Sequence, residues 1–328
     1  MLQLKNTTPF QATFFAAPDP QGIDCVYAIV KATFALGDRL SLAEQQEPVS
    51  LAEEYYGEPG RSSIRKPTDI SLIKPGTDVL LAGSAYTPLG TWATQTTVSL
   101  RVGPIQKVVR VTGDRNWGTG VVGWMSSPVP FEKMPLTWER AFGGTEADGG
   151  PPRFEPRNPV GTGFQHRSPD GPVRVPNLED PREPISSRGD RPAPANFAPI
   201  CAHWEPRCRY AGTYDEQWTR TRAPYLPRDF DPRFLQIAPA DQVVPGYLGG
   251  DELVQVSGAS PSGEVRFQLP AVRPKITFRL DEETHARPAN LDTVLIEPDQ
   301  GRVLLVWRAA FQCDKKVLRV REIGVGNA

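Results

Sequence analysis

Residues 94–112 read Thr94-Gln95-Thr96-Thr97-Val98-Ser99-Leu100-Arg101-Val102-Gly103-Pro104-Ile105-Gln106-Lys107-Val108-Val109-Arg110-Val111-Thr112. On an extended chain Thr94, Thr96, Val98, Leu100 and Val102 share one side, opposite Gln95, Thr97, Ser99 and Arg101. Gly103-Pro104 breaks the pattern and Ile105–Thr112 resumes it, which predicts a hairpin. Period two recurs outward from here. Cys25–Phe34 and Asp78–Tyr86 read as strands before the hairpin. Glu264–Leu269, Lys275–Leu280, Leu291–Glu297, Arg302–Phe311 and Val317–Ile323 read as strands after it. Pro298-Asp299-Gln300-Gly301 is a good turn between two of them, because Pro presets φ and Gly tolerates φ > 0. A short echo, Ile29–Phe34 against Val306–Phe311, is too brief to be a repeat.

Composition agrees with this. The 328 residues hold 29 glycines and 35 prolines, about a fifth of the chain against roughly 12% ordinarily. Such a chain is not mainly helical. The expected fold is all-β, mainly antiparallel and sandwich-like, with a long Pro/Arg-rich ordered loop region and a few short helices. One domain is expected over 1–328, with a β-scaffold from 1–125 and 246–328.

The middle segment, 126–245, carries 21 of the prolines, 14 arginines, a single lysine (Lys133) and 16 acids. Its three tryptophans argue for order, and guanidinium groups bonding carbonyls and carboxylates would hold such irregular backbone in place. Two helices are expected within it. One runs from Pro135 to Phe142 and stops at Gly143-Gly144. The other opens on the capping-box pattern Thr213-Tyr214-Asp215-Glu216 and ends before Pro224, with Tyr214 and Trp218 on one face and Glu216 paired to Arg220.

Charge narrows the function classes. Lys and Arg total 37 and Asp and Glu 38, so no bulk field attracts nucleic acid or an anionic membrane. The N-terminal residues lack the apolar stretch of a signal peptide, and the longest apolar run, Val303–Trp307, is too short to span a bilayer. The expectation is a cytoplasmic protein without membrane insertion or nucleic-acid binding. Four cysteines (Cys25, Cys201, Cys208, Cys313) read as reduced thiols.

Catalytic chemistry finds no clear home. Gly118-Thr119-Gly120-Val121-Val122-Gly123 matches a dinucleotide fingerprint as a string, but the proline-bearing stretch after it cannot be the helix that motif requires. Asp229-Phe230-Asp231 imitates a metal-binding acid pair, yet Pro232-Arg233 favours a capped turn. Cys201, His203 and Cys208 lack a fourth ligand at zinc spacing, so buried thiols and a packed imidazole are expected. His166 and His285 are the other histidines, too few for a histidine-rich centre. No catalytic residue, metal ligand or cofactor is assigned. A carboxylate-pair carbohydrate hydrolase on the β-scaffold remains the alternative.

Several stretches resemble a known family. They include Lys74-Pro75-Gly76-Thr77-Asp78-Val79 with Gly83–Tyr86, Met134–Gly144 (Met-Pro-Leu-Thr-Trp-Glu-Arg-Ala-Phe-Gly-Gly), Asn158–Phe164 and Pro176–Pro181. Gly212–Trp218, Leu226–Asp231 with Arg233-Phe234, and Leu291–Asp299 complete the series. It is similar to the family encoded beside type VI secretion effectors and spike proteins in Gram-negative bacteria. That resemblance implies a non-enzymatic adaptor or chaperone that binds a secreted effector, with spike and tip-capping proteins as further partners. A structural component secreted with the spike is the other reading in this class. The resemblance transfers no site residues. Candidate partner contacts come from chemistry alone, as exposed Trp, Tyr and Arg anchor interfaces. They are Trp138, Arg140, Phe142, Tyr214, Trp218, Tyr225 and Phe230, with core packing as the competing explanation for each.

Overall fold

The strand Asp24–Ala35 is buried along nearly its whole length on both faces, as a continuous apolar strand at the centre of a sheet must be. In the computed structural model, which describes residues 2–37, 39–118, 124–146, 150–165 and 172–327, it lies in a seven-stranded sheet. The order across that sheet is Val243–Pro245, Gly76–Leu81, Asn290–Glu297, Arg302–Gln312, Asp24–Ala35 and Gln11–Pro18, with Ser41–Leu42 also on Asp24–Ala35. All neighbours are antiparallel except Gly76–Leu81 with Asn290–Glu297. The segments of the short sequence echo are thus adjacent strands, with Ile29 opposite Arg308 and Phe34 opposite Val303.

The hairpin Gln95–Val102 and Ile105–Thr112 pairs as its alternation requires, Val102 facing Ile105 and Gln95 facing Thr112. It forms the middle of a five-stranded antiparallel sheet with Leu253–Ser257, Glu264–Gln268 and Leu178–Glu179. A four-stranded sheet joins the chain ends, with Gln3–Asn6 parallel to Val320–Asn327 and Pro274–Leu280 and Glu283–Arg287 beyond. Val26, Ala28 and Val30 of the large sheet, Val98 and Leu100 of the hairpin and Ile276 and Phe278 of the third sheet share one apolar cluster. The all-β, mainly antiparallel architecture follows.

The middle segment enters that cluster as well as covering it. Trp138 and Trp204 cross edge to face at 6.0 Å, both buried, and Trp138 Nε1 donates to Pro199 O at 2.9 Å. Arginines fasten the irregular backbone as expected. Arg115 donates to Pro176 O at 2.7 Å and to Glu179 at 3.0 Å, and Arg207 donates to Ile200 O and to Phe234 O.

Three expectations need correction, and one strand is added. Pro135–Phe142 is no α-helix: Lys133–Pro135 pairs with Ser84–Tyr86, Trp138–Arg140 is one 3₁₀ turn, and Phe142-Gly143 is already extended. Tertiary pairing on either side leaves no room for a second turn. The strand expected over Asp78–Tyr86 breaks between Leu81 and Ser84, where Gly83 takes φ +153°. The last strand starts at Val320, after a 3₁₀ turn at Val317–Arg319. Gln11–Pro18, whose Ala-Thr-Phe-Phe-Ala-Ala stretch does not alternate, is nevertheless a strand. Residues 119–123 of the glycine string and His166 lie outside the described residues.

On the side of the large sheet away from the main cluster, buried ionic contacts lie beside a small apolar cluster of Leu80, Ile237, Ala238, Leu295 and Leu304. Lys31 donates to Asp69 at 2.8 Å, and Arg308 to Asp292 at 2.6 Å and to Asp69 O at 2.8 Å. Lys74 donates to both Asp78 and Thr293 at 2.8 Å. Asp78 also accepts from Gln236 Nε2 at 2.8 Å and from the amides of Ile237 and Ala238 at 3.1 Å. These side chains are almost wholly out of water, where an ion pair is costly to break because the survivor stays buried and uncompensated. Asp78→Asn is therefore expected to lower the free energy of unfolding by about 3–5 kcal/mol, read from urea denaturation. A loss below about 1 kcal/mol, the range of exposed pairs, would show that this network is not under tension from burial.

Candidate functional site

Residues 207–236 form a largely exposed lobe built from short elements. Gly212 opens it at φ +83°, where an added Cβ would sit 2.8 Å from Pro227 Cβ and 3.1 Å from Phe230 N. Only glycine allows that approach. Beside it, Thr213 N and Oγ1 donate to the two oxygens of Asp229 at 3.0 and 2.7 Å. Thr213 is thus not the helix cap. Asp215 is, accepting from Trp218 N at 2.7 Å at the start of the helix Glu216–Thr221, the only α-helix among the described residues. The expected Glu216–Arg220 pair forms on that helix.

The helix turn sets the aromatic groups. Tyr214 and Trp218 meet edge to face at 4.8 Å, and Trp218 Nε1 donates to Tyr225 O at 2.9 Å. Arg222 lies over the Tyr225 ring at 5.4 Å and donates to Leu226 O and, at 2.9 Å, to Pro20 O, anchoring the lobe to the turn after Gln11–Pro18. Asp231 caps the 3₁₀ turn Pro232–Leu235 and pairs with Arg233, the capped turn expected there. A surface hollow of about 510 Å³ lies beneath, lined by Thr213, Asp215, Trp218, Arg222, Arg228 and Asp229. Arg228 makes no hydrogen bond or ion pair with the described residues.

The seven candidates divide. Tyr214, Trp218 and Tyr225 come together, with Tyr214 54% and Tyr225 38% exposed and Trp218 half-buried between them. Phe230 is half-buried against Phe234 on the same lobe. Trp138 and Phe142 are each only 2% exposed and belong to the core, so neither offers a surface for a partner. Packing won there because both side chains follow the strand-turn-strand path that carries them inward. Arg140 is half-buried and donates to Asn177 at 3.0 Å, away from the lobe. The two most exposed tryptophans, Trp92 at 69% and Trp124 at 62%, escaped the sequence reading. Each follows a glycine in the sequence, Gly90 two residues before Trp92 and Gly123 directly before Trp124, and that is their one cue.

The electrostatics are those of closed pairs. The Arg233 guanidinium holds the Asp231 carboxyl below its ordinary pKa, and the Thr213 amide and hydroxyl do the same for Asp229. A larger cleft of about 690 Å³ opens near Trp138, Asp180, Pro206 and Asp241. Burial pushes the Lys107 ammonium down there, against the pull of Asp241 at 2.9 Å and beside a bond to Gln242 at 2.8 Å. Among the described residues no group of three or more His, Cys, Asp and Glu is placed to hold a metal ion. Cys201 is buried as expected, but Cys208 is exposed, and His203 sits at the surface accepting from Trp204 Nε1 at 3.0 Å.

Residues 21–308 match the model of the family described as "Uncharacterized protein conserved in bacteria (DUF2169)". No curated protein and no solved structure matches the chain.

Burial raises the Cys25 thiol to about 11 and Cys201 to about 12, and raises Cys313 as well. These groups are protonated and shielded at neutral pH, whereas Cys208 is open to solvent. One equivalent of a maleimide is expected to label the native protein, at Cys208, with the other three thiols reacting only after denaturation. Peptide mapping that finds Cys201 modified in the native state would contradict the packing described.

Proposed function

We propose that this chain, which belongs to that bacterial family, is a non-enzymatic adaptor that holds another protein through the aromatic lobe at residues 207–236. The observation that carries the reading is that Tyr214 and Tyr225 are exposed while the acids around them are already committed to the lobe's own backbone and arginines. Exposed, rigidly braced tyrosines make good anchors because they bury much area at little entropic cost. Trp218 braces both, and Arg228 supplies a cation at the rim for an acidic group on the partner.

The resemblance to accessory proteins of type VI secretion supplies the partner class: a secreted effector, delivered with its spike and tip-capping proteins. The hydrolase alternative gains little from this geometry. A glycosidase needs one carboxyl whose pKa is raised to act as general acid. Asp229 and Asp231 are shifted the other way, and Asp215 and Glu216 serve as a helix cap and an i,i+4 pair.

Co-purification from native cytosol, with mass spectrometry of the captured proteins, tests the reading. One effector with spike or tip proteins is expected. Tyr214→Ala together with Tyr225→Ala should weaken that complex on the order of tenfold or more while the melting temperature stays unchanged. An effector complex insensitive to both substitutions would move the interface away from the lobe. Capture of no partner, with hydrolysis in a glycan screen, would replace the adaptor reading with the enzyme.

A further inference from the structure

The three principal sheets end in six edges, and five of them are protected against pairing with another chain. Val243–Pro245 is three residues long and ends in proline, and Leu178–Glu179 is two residues. Glu264–Gln268 carries Glu264 and Arg266, Glu283–Arg287 carries Glu283, His285 and Arg287, and Gln3–Asn6 carries Lys5. Short length, proline and charge are the ordinary guards of an exposed strand. The sixth edge, Gln11–Pro18, also ends in proline, but it has eight residues, and no charged side chain lies between Lys5 and Asp19.

Its backbone is open too. Gln11–Pro18 is hydrogen-bonded to Asp24–Ala35 on one side, and no other described residue bonds its amides or carbonyls. In an antiparallel pair alternate residues turn both groups outward, so the outer side carries a row of unpaired donors and acceptors. The side chains are held for pairing: Phe15 stacks on Tyr27 at 4.8 Å, and Phe14 packs against the main core.

We propose that Gln11–Pro18 docks the same strand of a second copy of this chain, antiparallel about a two-fold axis. The charge pattern selects that occupant. An uncharged edge meets its own image without opposing like charges, and a net charge of −1 leaves no long-range repulsion between copies. Antiparallel pairing opposes residues that turn their backbone groups the same way, so in a symmetric pair the two residue numbers sum to an even value. The axis then passes Phe14 or Phe15, the centre of the strand, and places that ring against its twin.

Sedimentation velocity of the full chain at micromolar concentration tests this. A dimer is expected. Ala16 is exposed, so Ala16→Lys should leave circular dichroism and melting unchanged while weakening self-association on the order of tenfold or more. Thr284→Lys, on an already charged edge, should leave the dimer intact. Hydrogen exchange should show the outward amides of residues 11–18 protected in the wild type and fast in Ala16→Lys. A monomeric wild type with fast exchange along this strand, or a dimer that Ala16→Lys does not weaken, overturns the proposal.

Discussion

Asp78 ties together three parts of the chain that are far apart in sequence. One carboxylate takes the Lys74 ammonium, the Gln236 side chain and two amides of the middle segment, and Lys74 reaches on to Thr293 in the neighbouring parallel strand. Among the described residues that is the one parallel pair of strands in the large sheet, and no short turn can make it. The chain must travel from Leu81 through the hairpin and the whole middle segment before returning at Val243 and Asn290. Burying a saturated carboxylate at the meeting point makes the correct return distinguishable from a shifted one, because any slip leaves charges unpaired out of water. The Lys31–Asp69 and Arg308–Asp292 pairs extend the same logic to the covering loop and the central strands.

The stretches that mark the family resemblance meet one another inside the fold. Asn158, fully buried, donates to Trp138 O and Phe142 O, and a Cβ on Gly143 would collide with Asn158 O. Asn177 binds Thr112 O and Arg140, and Thr213 binds Asp229 across the neck of the lobe. In each case a polar or glycine residue of one stretch fits the backbone or side chain of another. The motifs therefore specify how an irregular, proline-rich segment closes on a β-scaffold. Substitutions at these buried contact residues report first on folding, whatever they do to a partner.

This explains what the sequence disclosed and what it hid. Thr94–Thr112 was legible because one face is buried and the other wet, which period two records directly. Pro135–Phe142 misled because its helical cues are local, while its conformation is fixed by Ser84–Tyr86 and Asn158. In the capping box, Thr213 bonded Asp229 and left Asp215 to cap. For the site, Phe142 and Tyr214 sit in similar arginine-rich, aromatic surroundings in sequence, yet one is buried and the other open. Nothing local separates them, since exposure depends on which distant strand lies overhead. Gln11–Pro18 was missed for a related reason: an edge strand with one partner need not alternate cleanly.

The lobe and the open edge share one rim of the molecule, because Arg222 fastens the lobe to Pro20 in the turn that closes Gln11–Pro18. Two-fold pairing through Phe14 or Phe15 sends the two Pro18 ends in opposite directions. Their separation along the joined strands is six to eight residue steps, roughly 20–27 Å. Each lobe then stands toward its own end of the seam. On the adaptor proposal, such a dimer would present two lobes to a partner with two sites, and the second contact would gain from the effective concentration set by the first. Self-association would in this way strengthen a modest aromatic contact without enlarging it.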